Sequence, residues 1–124
     1  MDSSIPDLMR RNLIDVFNEV DPVRRNAAIA LTYAQDVVWH EQPDRVFRGR
    51  DALAERAAEL RAQTGDWVFE PDGPVSVNDD LGHLGFRFGP AGQPPVATGM
   101  DIARCRDGVI VELYTFINEN SPQT

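Results

Sequence analysis

The sequence predicts an α+β domain, a cone-shaped barrel in which three N-terminal helices pack on a curved, mostly antiparallel sheet and enclose a pocket. Apolar residues recur at three- and four-residue spacings in the first half of the chain, and from Asp66 onward they alternate. With 124 residues, 42% of them hydrophobic and 26% charged, the chain can bury a core without disulfides or metals. We therefore expect a single domain over residues 1–124, with its core at about 8–118.

The three helices are predicted from apolar spacing and from their start signals. The apolar positions of the first helix are Leu8, Met9, Leu13, Val16, Phe17 and Val20. The second helix begins at Asp21-Pro22, where a capping residue precedes a proline at the first helical position. The third begins at Gly49-Arg50-Asp51 and ends before Gly65.

One strand is predicted between the second and third helices, and four more follow the third helix. The early strand covers 37–41 and stops at Gln42-Pro43-Asp44. The later strands are expected at 67–77, 82–89, 95–105 and 109–117, because turn residues separate these alternating segments. They would form an antiparallel meander whose covered face meets the helices.

Composition excludes several classes of function. The formal net charge is −8, so we expect no nucleic-acid partner, and no apolar run is long enough to span a membrane. All 12 basic residues are arginine, which excludes Schiff-base catalysis and a phosphate-loop lysine. One cysteine and two separated histidines give no basis for a disulfide or a zinc site, so we expect no metal and no cofactor. The first residues carry no secretory signal pattern, which makes a cytoplasmic location the expectation.

The predicted strand 95–105 carries a carboxylate on a face of small residues. Ala97, Gly99, Ala103 and Cys105 alternate with the opposite face and surround Asp101. Small side chains on a covered face leave volume unfilled, and burial there would raise the pKa of Asp101. Asp101 would then be an acid or hydrogen-bond donor in a pocket; alternatively, this face meets solvent or a partner chain.

Two further residues are candidates for a general base. Glu41 follows Trp39 on the same face of the early strand, where it could take a proton at the mouth of a cavity or could simply be polar at a strand end. His83 shares a strand face with Arg87, and one register of the 82–89/95–105 hairpin would place it beside Asp101. A shift of one residue would instead place Leu84, Phe86 and Phe88 there, and the sequence leaves the register open.

Two segments carry a resemblance to a known family, VVWHEQPDRVFRGRDALAER at 37–56 and PPVATGMDIARCRDGVIVELYTFIN at 94–118. With the order of the elements, they resemble the nuclear transport factor 2-like superfamily over about 8–118. Within it, the chain is most similar to the SnoaL-like group of polyketide cyclase and ketosteroid isomerase relatives. The resemblance implies a deep apolar pocket and a homodimer formed through the convex face of the sheet.

The resemblance also implies roles for individual residues. Asp101 matches the acid that donates a hydrogen bond to an oxyanion in the isomerases and acts as acid–base in the cyclases. The position of the isomerase general base falls on Glu41 or on the adjacent Gln42. The isomerase tyrosine of the first helix has no counterpart, since Leu13 or a neighbour occupies that region. This departure argues against a complete ketosteroid isomerase site.

The function predicted from these observations is a cofactor-free acid/base enzyme, an isomerase, cyclase or relative, acting on a small apolar carbonyl compound. Glu41 or His83 would move a proton next to the carbonyl, and Asp101 would stabilise the enolate. The expected substrate pocket is formed by Phe17, Trp39, Arg87 and Leu113. One alternative is a ligand-binding or regulatory module without turnover, and another is an epoxide hydrolase-like site that would use Arg87 and Asp101.

A homodimer is also predicted from the last strand. Tyr114 and Phe116 lie on one of its faces, and Val111, Leu113 and Ile117 lie on the other. Large apolar groups on both faces indicate that a partner covers the face that the helices leave free.

Overall fold

In the computed structural model, which describes residues 4–118, the second and third helices begin at the predicted signals. The helices are α1 (Ile5–Arg11), which continues directly into a π-helical segment (Asn12–Phe17), α2 (Pro22–Thr32) and α3 (Gly49–Thr64). The Ser4 hydroxyl accepts a hydrogen bond from the Asp7 amide, and the Asp21 carboxylate accepts one from the Arg24 amide. These side chains satisfy amide groups that the first turn of a helix leaves without partners.

Seven strands form one mixed sheet. They are β1 (Tyr33–Glu41), β2 (Arg45–Arg48), β3 (Trp67–Pro71), β4 (Ser76–Asn78), β5 (Leu81–Pro90), β6 (Ala97–Arg106) and β7 (Val109–Asn118). The order in the sheet is β2-β1-β7-β6-β5-β3, with β4 paired to β5; of these pairs, β1–β7 is parallel and the others are antiparallel. The sheet is not closed on itself, and the three helices pack on it, which confirms the predicted α+β class.

The structure differs from the sequence prediction in several elements, and β1 begins at Tyr33, four residues before the predicted strand. Strand β2 was not predicted, because Arg45–Arg48 is only four residues long and has arginine at both ends. The predicted strand 67–77 is divided into β3 and β4 by 72–75, where Gly73 has a positive φ and Pro74 has no amide hydrogen to donate. The first helix ends at Phe17 rather than reaching Val20, whose side chain is exposed.

One hydrophobic cluster joins the helices to the concave face of the sheet. Its members include Leu8, Leu13, Leu84, Phe86 and Leu113, all with exposures of 1% or less. On β6 the buried residues alternate, so the small-residue face that contains Asp101 lies inside, as predicted. On β7 an irregular register opposite Arg104/Cys105 places Ile110 in the core, where simple alternation had placed Val111.

The other face of the sheet is not covered by any of the described helices, and Tyr114 and Phe116 are exposed on it. Within residues 4–118 no helix is both long enough and apolar enough to cross a membrane.

Candidate functional site

A cavity of about 280 Å³ lies between the π-helical segment, α3 and the concave face of the sheet. Most of its wall is apolar and aromatic, formed by Leu13, Phe17, Trp39, Phe69, Phe86 and Phe88. Phe69 stacks on Phe88 with 4.0 Å between ring centroids, and the edge of Phe17 meets Trp39 at 5.1 Å. These packed rings fix the shape of the wall, which suits an apolar ligand.

Three polar residues form a row across this wall. Thr115 of β7 lies directly opposite Asp101 of β6 on one side and opposite Glu41 of β1 on the other. All three line the cavity. Adjacent strands are about 4.8 Å apart, so the backbones that carry the two carboxylates are separated by roughly 10 Å. A small molecule bound between them can contact both.

Asp101 is a buried acid at one end of the row. Its side chain accepts a hydrogen bond from the Thr115 hydroxyl at 2.8 Å on Oδ1 and one from Asn12 Nδ2 at 3.0 Å on Oδ2. Burial raises the pKa of Asp101 from 3.8 to about 7, although these two hydrogen bonds favour the charged form. Near neutral pH the carboxyl group is therefore populated in both its acid and its base form.

The two donors to Asp101 are held by residues behind them. The Tyr33 hydroxyl donates to Asn12 Oδ1, and the Trp39 indole donates to Thr115 Oγ1 at 3.0 Å. Tyr33 is completely buried, and this burial, with the negative charge of Asp101, raises the pKa of Tyr33 well above its usual 10. Tyr33 therefore remains a hydrogen-bond donor at any physiological pH.

Asn12, Tyr33 and Thr115 were not recognised as site residues from the sequence. Asn12 offered a signal, since it is a polar residue on the apolar stripe of the first helix, four positions from both Leu8 and Val16. It begins the π-helical segment, a geometry that is frequent at functional sites.

Glu41 marks the other end of the row and is held by two arginines. Arg56 Nε lies 3.0 Å from Oε1 and its Nη2 lies 3.2 Å from Oε2, while Arg45 Nη2 lies 3.0 Å from Oε1. The side chains of Glu41 and Arg56 are only 13% and 9% exposed. Burial alone would lower the pKa of Arg56, but its hydrogen bonds to Glu41 and Glu59 raise it above the usual value. Arg56 Nε also lies 3.3 Å from Oε2, so the two arginines together occupy about all four lone-pair positions of the carboxylate.

His83 lies outside the cavity. In the observed register Leu84 is opposite Asp101, and His83 is opposite Ile102 on the other face of the sheet. The His83–Asp101 pair considered from the sequence is therefore wrong, because β5 and β6 adopt the register shifted by one residue.

The predicted pocket residues divide into two groups. Phe17 and Trp39 line the cavity, whereas Leu113 is in the core and does not reach it. Arg87 is partly exposed on the far face, where its guanidinium group lies 3.0 Å from Asp72. The expectation that Arg87 lines the pocket, and the epoxide hydrolase-like arrangement with Asp101, are wrong for the same reason of register.

Among residues 4–118, no three or more His, Cys, Asp or Glu side chains are grouped so that they could hold a metal ion.

An open, curved α+β sheet that holds a lined cavity against its helices defines the nuclear transport factor 2-like class of fold. The profile of the SnoaL-like domain matches residues 11–113, so the chain belongs to the SnoaL-like family. No curated protein sequence matches the chain.

Solved structures share this fold over nearly the whole chain. One is an isomerase candidate of the SnoaL-like family from Agrobacterium tumefaciens, 18% identical, with a TM-score of 0.83 over 91% of this chain and 96% of that one. A polyketide cyclase candidate from Sinorhizobium meliloti is 21% identical, with a TM-score of 0.69 over 90% and 94% of the two chains. A ketosteroid isomerase candidate from Kribbella flavida is 17% identical, with a TM-score of 0.74 over 96% and 81%. At identities this low, the structural similarity shows a common fold.

Proposed function

We propose that this protein is an acid/base enzyme of the isomerase or cyclase type that moves a proton next to the carbonyl group of a small apolar compound. The observation that carries the proposal is the row of Glu41, Thr115 and Asp101 on one wall of an apolar cavity. General acid–base catalysis is most effective when a pKa lies near the working pH, and the pKa of Asp101 is about 7.

In the proposed reaction the two carboxylates have different tasks. The neutral form of Asp101 stabilises the carbonyl oxygen through hydrogen bonding at this end of the row as negative charge develops on it. Glu41 takes the proton from the adjacent carbon on Oε2, where it replaces the 3.3 Å contact with Arg56 Nε. The C–H electron pair becomes the carbon–carbon double bond of the enolate, and the carbonyl oxygen becomes the oxyanion. Return of that proton to another carbon gives an isomer, and attack of the enolate on an electrophile in the same molecule gives a ring.

The volume of the cavity limits the size of the substrate. The 280 Å³ of space corresponds to about nine water molecules at ~30 Å³ each. A compound of one or two rings matches this space, and the aromatic wall favours a largely apolar one.

Proton exchange from a simple ketone tests the proposal. We expect the protein to accelerate the exchange of the C2 hydrogens of 1-indanone for deuterium in D2O, followed by proton NMR. The Glu41→Gln variant serves as the control for exchange outside the site. Binding of the ketone without exchange would contradict the enzyme proposal and support the second candidate below.

The second candidate is a ligand-binding or regulatory module that uses the same cavity. One observation favours it: both oxygens of Glu41 and both oxygens of Asp101 already accept hydrogen bonds from the protein. Carboxylates whose oxygens are all hydrogen-bonded within the protein can hold the shape of a binding cavity without taking part in a reaction.

A homodimer formed through the uncovered face of the sheet is part of the proposal. Tyr114 and Phe116 are 36% and 39% exposed there, and the ring of His40 stacks on Tyr114 with 4.3 Å between centroids. Exposed aromatic residues of this kind are typical of interfaces. We expect light scattering at micromolar concentration to give the mass of a dimer, and Tyr114→Asp to give that of a monomer; a monomeric wild type would contradict this.

A cytoplasmic location is proposed from the cysteine. Cys105 is buried and free, and burial raises the pKa of its thiol to about 11, which keeps it protonated and unreactive. An unpaired thiol of this kind is typical of proteins from a reducing compartment.

A further inference from the structure

The hydroxyl group of Thr115 has a defined partner in two of its three hydrogen-bonding directions. The indole of Trp39 can only donate, so Thr115 Oγ1 accepts at that position, 3.0 Å away. The second position is taken by Asp101 Oδ1 at 2.8 Å. A threonine hydroxyl has one hydrogen and two lone pairs, so one direction remains, and Thr115 lines the cavity.

The donors around Asp101 decide which of its oxygens carries the proton in the neutral form. Asn12 Nδ2 donates to Oδ2. Reversing the side-chain amide of Asn12 would break the hydrogen bond that the Tyr33 hydroxyl donates to its Oδ1. A proton on Oδ2 would face another donor. The proton therefore resides on Oδ1, where it faces the oxygen of Thr115.

We propose that Thr115 converts the protonation state of Asp101 into a change of hydrogen-bonding polarity at the cavity wall. When Asp101 is ionised, the Thr115 hydrogen points to Oδ1 and a lone pair of Oγ1 faces the cavity. When Asp101 is neutral, its Oδ1–H donates to Oγ1, and the Thr115 hydrogen turns toward the cavity. Thr115 thus presents an acceptor in one state and a donor in the other.

This inference rests on the proposed function, because it describes how the same cavity selects its ligand. A carbonyl oxygen, which only accepts, binds the neutral state, whereas a hydroxyl group can bind either state. The other ionisable groups that face this end of the row are Tyr33, which remains protonated, and the mutually paired Glu41, Arg45 and Arg56 across the cavity. The titration of Asp101 is therefore what changes the hydrogen-bonding polarity of the cavity wall at Thr115.

The first test needs no ligand. Trp39 donates to the hydroxyl group that changes direction. The chemical shift of its indole N–H should therefore titrate with the same midpoint as Asp101 in the wild type and in Thr115→Ser. In Thr115→Val most of this movement should be lost, while the Trp67 indole serves as a control for folding. A Trp39 resonance that stays constant in the wild type, or that titrates equally in Thr115→Val, would overturn the proposal. The wild-type and serine titrations decide the matter if the valine variant does not fold.

The second test compares 1-indanone with 1-indanol by NMR titration. With a midpoint near 7, the neutral fraction of Asp101 falls about tenfold from roughly pH 6 to pH 8, and the apparent affinity for the ketone should fall by the same factor. The affinity for the alcohol should change little. In Thr115→Val the ketone should lose its pH dependence; if it keeps the tenfold change, Asp101 contacts the ligand directly and the proposal fails. Both tests measure binding or resonance positions. A failure to catalyse proton exchange would therefore contradict the proposed enzyme activity and leave the proposed role of Thr115 unaffected.

Discussion

Glu41→Gln is expected to slow the exchange of the C2 hydrogens of 1-indanone by roughly 100- to 10,000-fold, the usual contribution of a positioned general base. The amide keeps an oxygen that can accept from Arg56, so the cavity should retain its shape and its affinity for the ketone. It has no lone pair basic enough to take the proton. Exchange rates and binding of the ketone, both measured by NMR, separate these two effects.

Glu59→Gln is the matched control for this experiment. Glu59 also accepts from Arg56, at 3.2 Å, but its side chain is 53% exposed and it does not line the cavity. We expect this variant to exchange at nearly the wild-type rate. Equal losses in the two variants would show that Arg56, and not a base at Glu41, is what the reaction needs. Full activity of Glu41→Gln would place the base elsewhere.

Asp101→Asn should be more stable than the wild type at about pH 8 and nearly equal to it at about pH 4. Because the folded state raises the pKa of Asp101 from 3.8 to about 7, it binds the proton more tightly than the unfolded state does. The stability from this proton is fully present below the unfolded pKa and is lost as the pH rises through about 7. The difference corresponds to about 4 kcal/mol at most, at ~1.4 kcal/mol per pKa unit. Asparagine resembles the neutral acid, since its amide can donate to Thr115 while its oxygen accepts from Asn12.

Urea denaturation at several values between about pH 4 and pH 8 measures this effect. The quantity to compare is the difference in the free energy of unfolding between variant and wild type, since other carboxylates titrate in both. Asp36→Asn, which removes the same charge from an exposed position of β1, should show no such pH-dependent difference. Parallel pH profiles for the wild type and Asp101→Asn would mean that Asp101 is not a neutral acid in the folded state.

Most of the fold could be predicted from the sequence because its signals are local. The spacing of apolar residues, the cap at Asp21 and the helix start at Gly49 predicted the helices, and alternation predicted the sheet face that carries Asp101. Strand β2 has no such pattern of its own. It exists because β1 offers it a free edge, with His40 opposite Val46.

The site could be predicted only where one strand carries the information. Asp101 and its small neighbours alternate along β6, and Glu41 shares a face of β1 with Trp39, so both were found. The position of His83 depended on the register of a hairpin, and a shift of one residue moves every side chain to the other face. Asn12 reaches Asp101 from a position 89 residues away in the sequence, a contact that no local pattern indicates.

Both proposals require that burial in the apolar cavity raises the pKa of Asp101 to about 7, so that its neutral form is populated near neutral pH. Carbon-13 NMR of its side-chain carboxyl group, assigned with the Asp101→Asn variant and followed against pH, tests this directly. We expect a midpoint at about 7, far above the usual 3.8, because burial opposes the charge. A midpoint at or below 3.8 would contradict it.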